Sequence, residues 1–287
     1  MAASTYSITA YDATAVEWGV AVQSKFLAIG ALTPWARVGA GAIATQAFIN
    51  VSYGRDGLSL LERGLSAQEV VERLTSADPG RDSRQLGVVD RDGASACFTG
   101  PACFEWAGHH RGDGYAVQGN TLVSGDTLTA MVERYEAGTG EPLARRLVES
   151  LAAAQNAGGD RRGQQAAAVL TVRAGAGYSG ADVHVDLRVD DHPWPIEELR
   201  RLLDLQDLYF GETPAEHWLE LDDELTAEVR QHLDRLGYAG GRVATDLEAW
   251  AGAENFEERV RGAKRIDPVV LAQLRKTSDT GGGEAAR

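Results

Sequence analysis

The sequence lacks the features that mark several common classes of protein. It contains two cysteines, Cys97 and Cys103, so a framework of several disulfides is excluded. It has no run of about 18 apolar residues, which argues against a transmembrane helix. The segment that begins at Met1 has neither a basic stretch nor an apolar stretch. We therefore expect no signal peptide and a cytoplasmic location.

Positive charge is also scarce. Lys and Arg number 28 against 42 Asp and Glu, which gives a formal net charge of −14. A basic surface for nucleic acid or for anionic lipid is therefore not predicted. Hydrophobic residues make up 44% of the 287-residue chain, which is enough for a sizeable core. The composition predicts a folded protein with no nucleic-acid partner and no membrane partner.

The familiar motifs of cofactor and metal chemistry are missing too. There is no Walker-type phosphate loop, no zinc-protease helix and no Gly-x-Ser-x-Gly nucleophile elbow. The spacing of Cys97 and Cys103 matches no standard zinc site, although His109 and His110 follow closely. A metal hydrolase built on Cys103 and these histidines is the weakest hypothesis. We instead predict a core position for Cys97, loop positions for the histidines, and no metal or cofactor.

Residues 1–208 contain strands in groups, separated by helices. The strand patterns include a hairpin over residues 85–99 with an Asp92-Gly93 turn. Apolar periodicity predicts one helix over 57–76, two over 126–136 and 142–155, and another over 194–208. Strands that cluster in hairpins are typical of antiparallel sheets covered by helices, and they argue against a doubly wound parallel sheet. The predicted fold class is α+β.

Residues 209–276 form a second predicted domain, which is small and all-α. A helical pattern covers 225–236, and no strand is evident. Thr245 is the predicted cap of a further helix, with Glu248 at the capping-box position. Asp267 is the predicted cap of the last helix, with Pro268 in its first turn. Residues 277–287 are polar and Gly-rich, which predicts a disordered tail.

Ten sequence blocks resemble a bacterial and archaeal family within the N-terminal-nucleophile (Ntn) hydrolase superfamily, the domain of unknown function 1028. They lie in order between Thr5 and Leu208, at residues 5–8, 19–26, 38–46, 50–54, 85–90, 98–100, 106–109, 118–120, 159–165 and 185–192. The resemblance implies a four-layer αββα sandwich, with two antiparallel sheets between helical layers. It also implies cleavage of amide bonds without a cofactor, and a homodimer.

The resemblance gives Thr5 the role of nucleophile, because family members often expose a Thr at this point when the initiator Met is removed. The α-amine of a terminal Thr has a pKa near 7.7–8.0 and can act as the base for its own hydroxyl. In this sequence Met1–Ser4 precede Thr5, so the role requires removal of four residues, with Ser4 as an alternative terminus. Without that cleavage the site is inactive. On composition alone, Thr5 is an ordinary strand residue.

Five further residues are candidates for the same site, and most of them have a structural alternative. Asn120 is either a side-chain donor to the oxyanion or a turn residue. Ser24 and Lys25 follow the second strand, where Lys25 either lowers the pKa of the Thr5 amine or is a solvated strand end. Asp160 and Arg161 either orient the nucleophile and bind a substrate carboxylate, or form an ion-paired loop.

The second domain resembles a helical module classed as peptidoglycan-binding. The resemblance rests on 209–211, 225–238, 249–252, 254–255 and 265–268. Our first hypothesis is therefore an Ntn amidohydrolase that acts through Thr5 on a small amide or peptide-like substrate. The alternative is a non-catalytic protein that binds cell-wall fragments or a partner and keeps the sandwich as a scaffold. A dimerisation or lid role for the helical module is equally consistent with the sequence.

Overall fold

The computed structural model describes residues 5–260 and 264–280, except for the side chain of Glu258. It divides into two compact units, Met1–Leu203 and Asp204–Arg287, so the division precedes the predicted boundary at Leu208. The described residues form a mixed α+β protein with eight α-helices and antiparallel sheets, which confirms the predicted fold class. None of the described helices is long and apolar enough to cross a membrane.

From Thr5 onwards, where the description begins, the first unit contains ten strands in two antiparallel sheets. The strands are β1 (Thr5–Asp12), β2 (Glu17–Ser24), β3 (Pro34–Arg37), β4 (Gly41–Ala47), β5 (Arg84–Asp90), β6 (Ser95–Thr99), β7 (Gly108–Gly112), β8 (Tyr115–Asn120), β9 (Ala166–Val172) and β10 (Val183–Val189). The large sheet has the order β10-β9-β2-β1-β8-β7, and the small sheet has the order β3-β4-β5-β6. The predicted hairpin over residues 85–99 is confirmed as β5 and β6.

Helices pack on the outer faces of both sheets. They are α1 (Ser52–Glu62), α2 (Ala67–Ser76), α3 (Asp126–Ala137), α4 (Leu143–Asn156) and α5 (Pro195–Phe210). Leu61 and Val70 on α1 and α2 belong to one hydrophobic core with strand residues of the small sheet. Leu128 and Leu147 on α3 and α4 belong to a second core with strand residues of the large sheet. These two cores hold the helices against the sheets, because burial of apolar side chains is the main favourable term in folding.

The two faces of strand β1 carry chemically different side chains. Because successive residues of a strand point to opposite faces, every second residue shares a face. Tyr6 and Ile8 face the helices and are fully buried in the second core. Thr5, Ser7 and Thr9 alternate with them and are also fully buried, on the face directed at the small sheet. The space between the sheets is therefore lined by hydroxyl groups along β1.

The second unit is built around three helices: α6 (Asp223–Arg235), α7 (Val243–Ala253) and α8 (Pro268–Asp279). Trp250 and Phe256 stack at the centre of its core, with a ring-centroid distance of 5.8 Å. Asp267 accepts from the amide of Val269 at 2.8 Å, which confirms the predicted cap of α8. The Asp267 carboxylate also forms a buried ion pair with Arg259 at 2.8 Å. Core and ion pair together give this unit a packed interior of its own.

Two predictions for the first unit are wrong. The single helix over residues 57–76 is two helices, because the chain breaks at Gly64, whose φ is +89°, and restarts at Ser66. Ser66 and Glu69 form a reciprocal capping box at that restart. His109 and His110 do not lie on a loop. They belong to strand β7, where His109 pairs with Gln118 of β8.

Three predictions for the second unit also need correction. Helix α7 begins at Val243 after Arg242, so Thr245 lies within its first turn and is not its cap. The unit is not free of strands, since β11 (Leu219–Glu220) pairs with β12 (Arg265–Ile266). The predicted tail over residues 277–287 begins too early, because α8 continues to Asp279. Residues 281–287 lie outside the described part of the chain.

Candidate active site at the end of strand β1

Three of the predicted site residues meet at the first residue of β1. Thr5 pairs in register with Ser24 on β2 and with Asn120 on β8, its two neighbours in the large sheet. The Thr5 hydroxyl donates to Oγ of Ser24 over 3.1 Å. All three residues are fully buried. The fold thus brings residues from three strands, distant in sequence, to one point.

Buried amide side chains connect this point to the small sheet. Nε2 of Gln46, on β4, donates to the carbonyl oxygen of Thr5 at 3.2 Å and to Oε1 of Gln85 at 2.7 Å. Oε1 of Gln46 accepts from the Ser7 hydroxyl at 2.6 Å. Ser7 has a second hydrogen-bond partner in Gln118, whose Nε2 donates to Oγ of Ser7 at 2.5 Å. We call this set of four side chains the amide layer: Gln46, Gln85, Gln118 and Asn120.

Gln85 orients Asn120 within the amide layer. Nδ2 of Asn120 donates to Oε1 of Gln85 at 3.1 Å. Nε2 of Gln85 in turn donates to the carbonyl oxygen of Gly119 at 2.8 Å and to Oγ1 of Thr99 at 2.9 Å. With its own donor and acceptor atoms both engaged, the Gln85 amide is fixed. The Asn120 nitrogen is consequently held at the inter-sheet side of Thr5.

Gly87 provides the space that the amide layer occupies. A β-carbon added at this position of β5 would lie 2.0 Å from Oε1 of Gln118 and 2.6 Å from its Cδ. A β-carbon does not come this close to a non-bonded oxygen or carbon atom, so any larger residue would displace the Gln118 amide. The glycine is therefore required by close packing of the two sheets at this layer.

A loop crosses the end of the large sheet above Thr5. We call residues 159–165 the crossing segment. The carbonyl of Gly159 accepts from the amide of Val123 at 3.1 Å, just beyond the end of β8. At the other end, the amide of Gln165 donates to the carbonyl of Ser24 at 3.1 Å, at the end of β2. Because β1 lies between β8 and β2, the segment passes across the N-terminal end of β1.

Asp160 anchors the crossing segment and is almost completely buried. Its Oδ2 accepts from the main-chain amide of Lys25 at 3.0 Å. Its Oδ1 accepts from the main-chain amide of Arg162 at 2.9 Å, and the Arg162 guanidinium is 3.2 Å from Oδ2. The ion-pair partner of Asp160 is thus Arg162. An ion pair of Asp160 with Arg161 was the structural alternative expected from the sequence.

The side chains of Lys25 and Arg161 have different surroundings from Asp160, since both are exposed. Nζ of Lys25 donates to the carbonyl of Gln164 at 3.0 Å. The Arg161 guanidinium donates to the carbonyl of Leu122 at 3.3 Å. Both cations therefore lie beside the candidate site and point to main-chain oxygens. An effect of Lys25 on the Thr5 amine stays a prediction.

Behind Thr5, the face of β1 directed at the helices carries a buried phenol. Tyr6 donates to Oε1 of Gln155 at 3.0 Å. Burial raises the pKa of Tyr6 well above its ordinary value, and the negative charges of Asp160 and Glu197 raise it further. The Tyr6 phenol therefore stays neutral and acts as a hydrogen-bond donor. It is not a base for the candidate nucleophile.

The cysteines and the paired histidines do not converge on a metal site. Sγ of Cys97 donates to the carbonyl of His110, and Sγ of Cys103 donates to the carbonyl of Arg84 at 3.3 Å. Burial raises the pKa of the Cys97 thiol to about 12 and also raises that of Cys103. Within residues 5–260 and 264–280, no three His, Cys, Asp or Glu side chains form a group that could hold a metal ion.

Most of the amide layer and Arg162 were not predicted from the sequence. Gln46, Gln85 and Gln118 were not proposed for the site. A usable signal existed, because each glutamine lies in a strand pattern composed mainly of small and apolar residues. A long polar side chain in a buried strand needs hydrogen-bond partners in the interior. The identity of those partners depends on how the sheets stack.

Comparisons with known proteins bear on both units. The family model described as "Family of unknown function (DUF1028)" matches residues 5–199. A second model, described as "Putative peptidoglycan binding domain", matches residues 209–274. A search of curated proteins found no match.

Several solved structures match this chain, and two of them are described here. Protein SPO2555 from Silicibacter pomeroyi, described with the family model DUF1028, is 30% identical, with a TM-score of 0.66 over 74% of this chain and 92% of that chain. Anbu (ancestral beta-subunit) from Yersinia bercovieri is 13% identical, with a TM-score of 0.32 over 73% of this chain and 98% of that chain, a likeness too weak to support an argument. The family match and the similarity to SPO2555 show that this chain belongs to the DUF1028 family.

Proposed function

We propose that this protein is an N-terminal-nucleophile amidohydrolase in which Thr5 attacks the carbonyl of a small amide or peptide-like substrate. The observation that carries the proposal is the position of Thr5. It begins a central strand, is buried between two sheets, and has Ser24 and Asn120 beside it in register. The helix-covered pair of antiparallel sheets also supports a four-layer αββα sandwich of the Ntn type.

The proposed reaction requires cleavage of the bond between Ser4 and Thr5. The freed α-amine of Thr5 then accepts the proton of the Thr5 hydroxyl as this oxygen attacks the substrate carbonyl. The buried carboxylate of Asp160, in the segment that crosses the end of β1, provides negative charge to orient the amine. Ser24 Oγ, 3.1 Å from the Thr5 hydroxyl, orients the nucleophilic oxygen.

Asn120 is the proposed donor to the oxyanion. The Asn120 amide nitrogen is oriented by its hydrogen bond to Gln85. We assign this nitrogen to the negative charge that develops on the substrate oxygen, where a fixed donor lowers the barrier most. The protonated amine then donates its proton to the leaving nitrogen. Water hydrolyses the resulting ester on Thr5 and restores the hydroxyl.

The mass and N-terminal sequence of the purified protein test this proposal first. We expect the main species to lack Met1–Ser4 and to begin with Thr5, because only then does the hydroxyl have its own amine as base. A chain that retains Ser4 before Thr5, yet hydrolyses amides at the same rate as a chain that begins at Thr5, would contradict the mechanism. An engineered chain that starts at Thr5 after the initiator Met provides the matched control.

A second candidate function concerns residues 209–274, because the family model matching them is described as peptidoglycan-binding. We propose that this unit binds cell-wall fragments, whether or not the first unit is catalytic. The full chain is expected to sediment with purified insoluble peptidoglycan and to remain in solution with cellulose of equal mass. Equal recovery in both pellets, or none in either, would count against this function.

A further inference from the structure

Four large apolar side chains are exposed around the candidate active site. We call them the apolar rim: Leu27, Phe48, Phe104 and Val123. Their exposed fractions are 58%, 38%, 55% and 53%. The rings of Phe48 and Phe104 are tilted by 56° to each other, with a centroid distance of 6.3 Å. Exposed apolar groups that gather in one place, and are not scattered singly, typically mark a binding surface.

The rim surrounds the end of the sandwich at which Thr5 lies. Phe48 directly follows β4, two residues after Gln46, which contacts Thr5. Phe104 accepts at its carbonyl from the amide of Thr121, the residue after Asn120, at 2.8 Å.

The other two members come from the strands that flank β1 in the large sheet. Leu27 lies three residues beyond Ser24, the last residue of β2, and Val123 lies three residues beyond Asn120, the last residue of β8. Each flanking strand is therefore followed by one exposed apolar side chain, three residues beyond its site residue. The four side chains thus come from four separate loops at one end of the two sheets.

Two cations stand among the apolar side chains. Lys25 is two residues from Leu27, and the amide of Arg161 donates to the carbonyl of Thr121 at 3.0 Å, beside Val123. In the described residues neither side chain has a carboxylate partner, and both bind main-chain carbonyls. Unpaired cations at one location are notable in a chain with a net charge of −14. Guanidinium and ammonium groups of this kind attract a carboxylate.

We infer that the apolar rim and the two cations bind the substrate, and that the substrate is an N-acyl amino acid or short peptide with a large apolar group and a free carboxylate. The apolar group contacts Phe48 and Phe104, and the carboxylate contacts Arg161, with Lys25 adding positive potential. The amide between these groups then lies over Thr5. The inference rests on the proposed function only for the cleavage of that amide, since binding does not require it.

An uncleavable ligand tests the binding site directly. Dansyl-leucine has an apolar fluorophore, an apolar side chain and a carboxylate, joined by a sulfonamide that an acyl hydrolase does not cleave. The sulfonamide of dansyl chloride with 3-methylbutylamine is the same molecule without the carboxylate. Fluorescence titration of the full chain should give saturable binding of both, with dansyl-leucine the tighter ligand.

Single substitutions test whether the two ligands bind at the apolar rim. Phe48→Ser and Phe104→Ser should each weaken both ligands about tenfold, since each removes most of one aromatic contact. Arg161→Gln should weaken dansyl-leucine and leave the uncharged sulfonamide unchanged. Tyr178→Ser is the matched control, because Tyr178 is 61% exposed and follows β9, whose opposite end pairs with Ser24. Far-ultraviolet circular dichroism is used to check that each variant is folded.

The outcomes separate this inference from the proposed function. Absence of saturable binding, or equal weakening by Tyr178→Ser and Phe104→Ser, would overturn the apolar site. Equal effects of Arg161→Gln on both ligands would overturn the carboxylate contact. If Thr5→Ala binds dansyl-leucine like the unaltered chain, the site is supported whether or not any amide is hydrolysed. The protein could also hydrolyse small polar amides at a rate that Phe48→Ser and Phe104→Ser do not change. That result would support Thr5 as the nucleophile and overturn the proposed substrate class.

Discussion

We expect the Thr5→Ala variant to lose amide hydrolysis by a factor of at least ~10³, the scale on which removal of a nucleophile acts. The physical reason is that no other hydroxyl at this site has an α-amine as its base after cleavage at Thr5. Turnover is measured with a panel of N-acyl amino acids, by detecting the released amine. Stability should change little, since a single hydroxyl hydrogen bond, here from Thr5 to Ser24, contributes about 1 kcal/mol.

Thr9→Ala is the matched control for this experiment. Thr9 lies on the same strand and the same face, is fully buried, and donates to the carbonyl of Ala116 at 3.3 Å. Both substitutions remove a buried threonine hydroxyl from β1, but only Thr5 is at the proposed site. A Thr9→Ala variant that loses as much activity as Thr5→Ala would indicate a general loss of structure. Unchanged turnover in Thr5→Ala would exclude Thr5 as the nucleophile.

We expect Gly87→Ala to lower the free energy of unfolding by about 1–3 kcal/mol, the usual cost of inserting a methyl group into a full interior. The added carbon would lie 2.0 Å from Oε1 of Gln118 and would displace an amide that is bonded to Ser7. The amide layer would shift with it, because Gln46 also bonds Ser7. The change in the free energy of unfolding is measured by denaturant unfolding, with near-ultraviolet circular dichroism as the signal.

A double-mutant cycle isolates the clash between the two sheets. In a Gln118→Ala background the amide is gone, so Gly87→Ala should cost at least about 1 kcal/mol less than it does in the unaltered chain. An equal cost in both backgrounds would mean that the methyl group is accommodated without contact to Gln118. In that case the glycine would be required for another reason.

The elements of the first unit were largely predictable because their signals are local. The hairpin of β5 and β6 follows from its Asp-Gly turn, and helices α3 and α4 follow from apolar periodicity. The break between α1 and α2 was also predictable from the sequence, since Ser66 and Glu69 have the spacing of a capping box. Continuous apolar periodicity across residues 57–76 concealed it.

The arrangement of the site was only partly predictable. Thr5, Ser24 and Asn120 were proposed, and the strand register brings them together. The glutamines of the amide layer were not proposed. Gln46 and Gln85 belong to the other sheet, and their distance from Thr5 depends on how the sheets stack. No local pattern encodes a contact between strands of different sheets. The ion pair of Asp160 with Arg162 was not predicted for a similar reason, since neighbouring side chains of a loop point in directions set by its path.

The crossing segment has a practical consequence for recombinant production. Because residues 159–165 pass across the end of β1, the main-chain nitrogen of Thr5 lies under the segment that carries Asp160, between the ends of β2 and β8. Under the proposed mechanism, cleavage before Thr5 also removes any affinity tag fused to the N-terminus. Purification through such a tag would therefore recover only the uncleaved chain. Purification handles and labels for this protein belong at its C-terminal end.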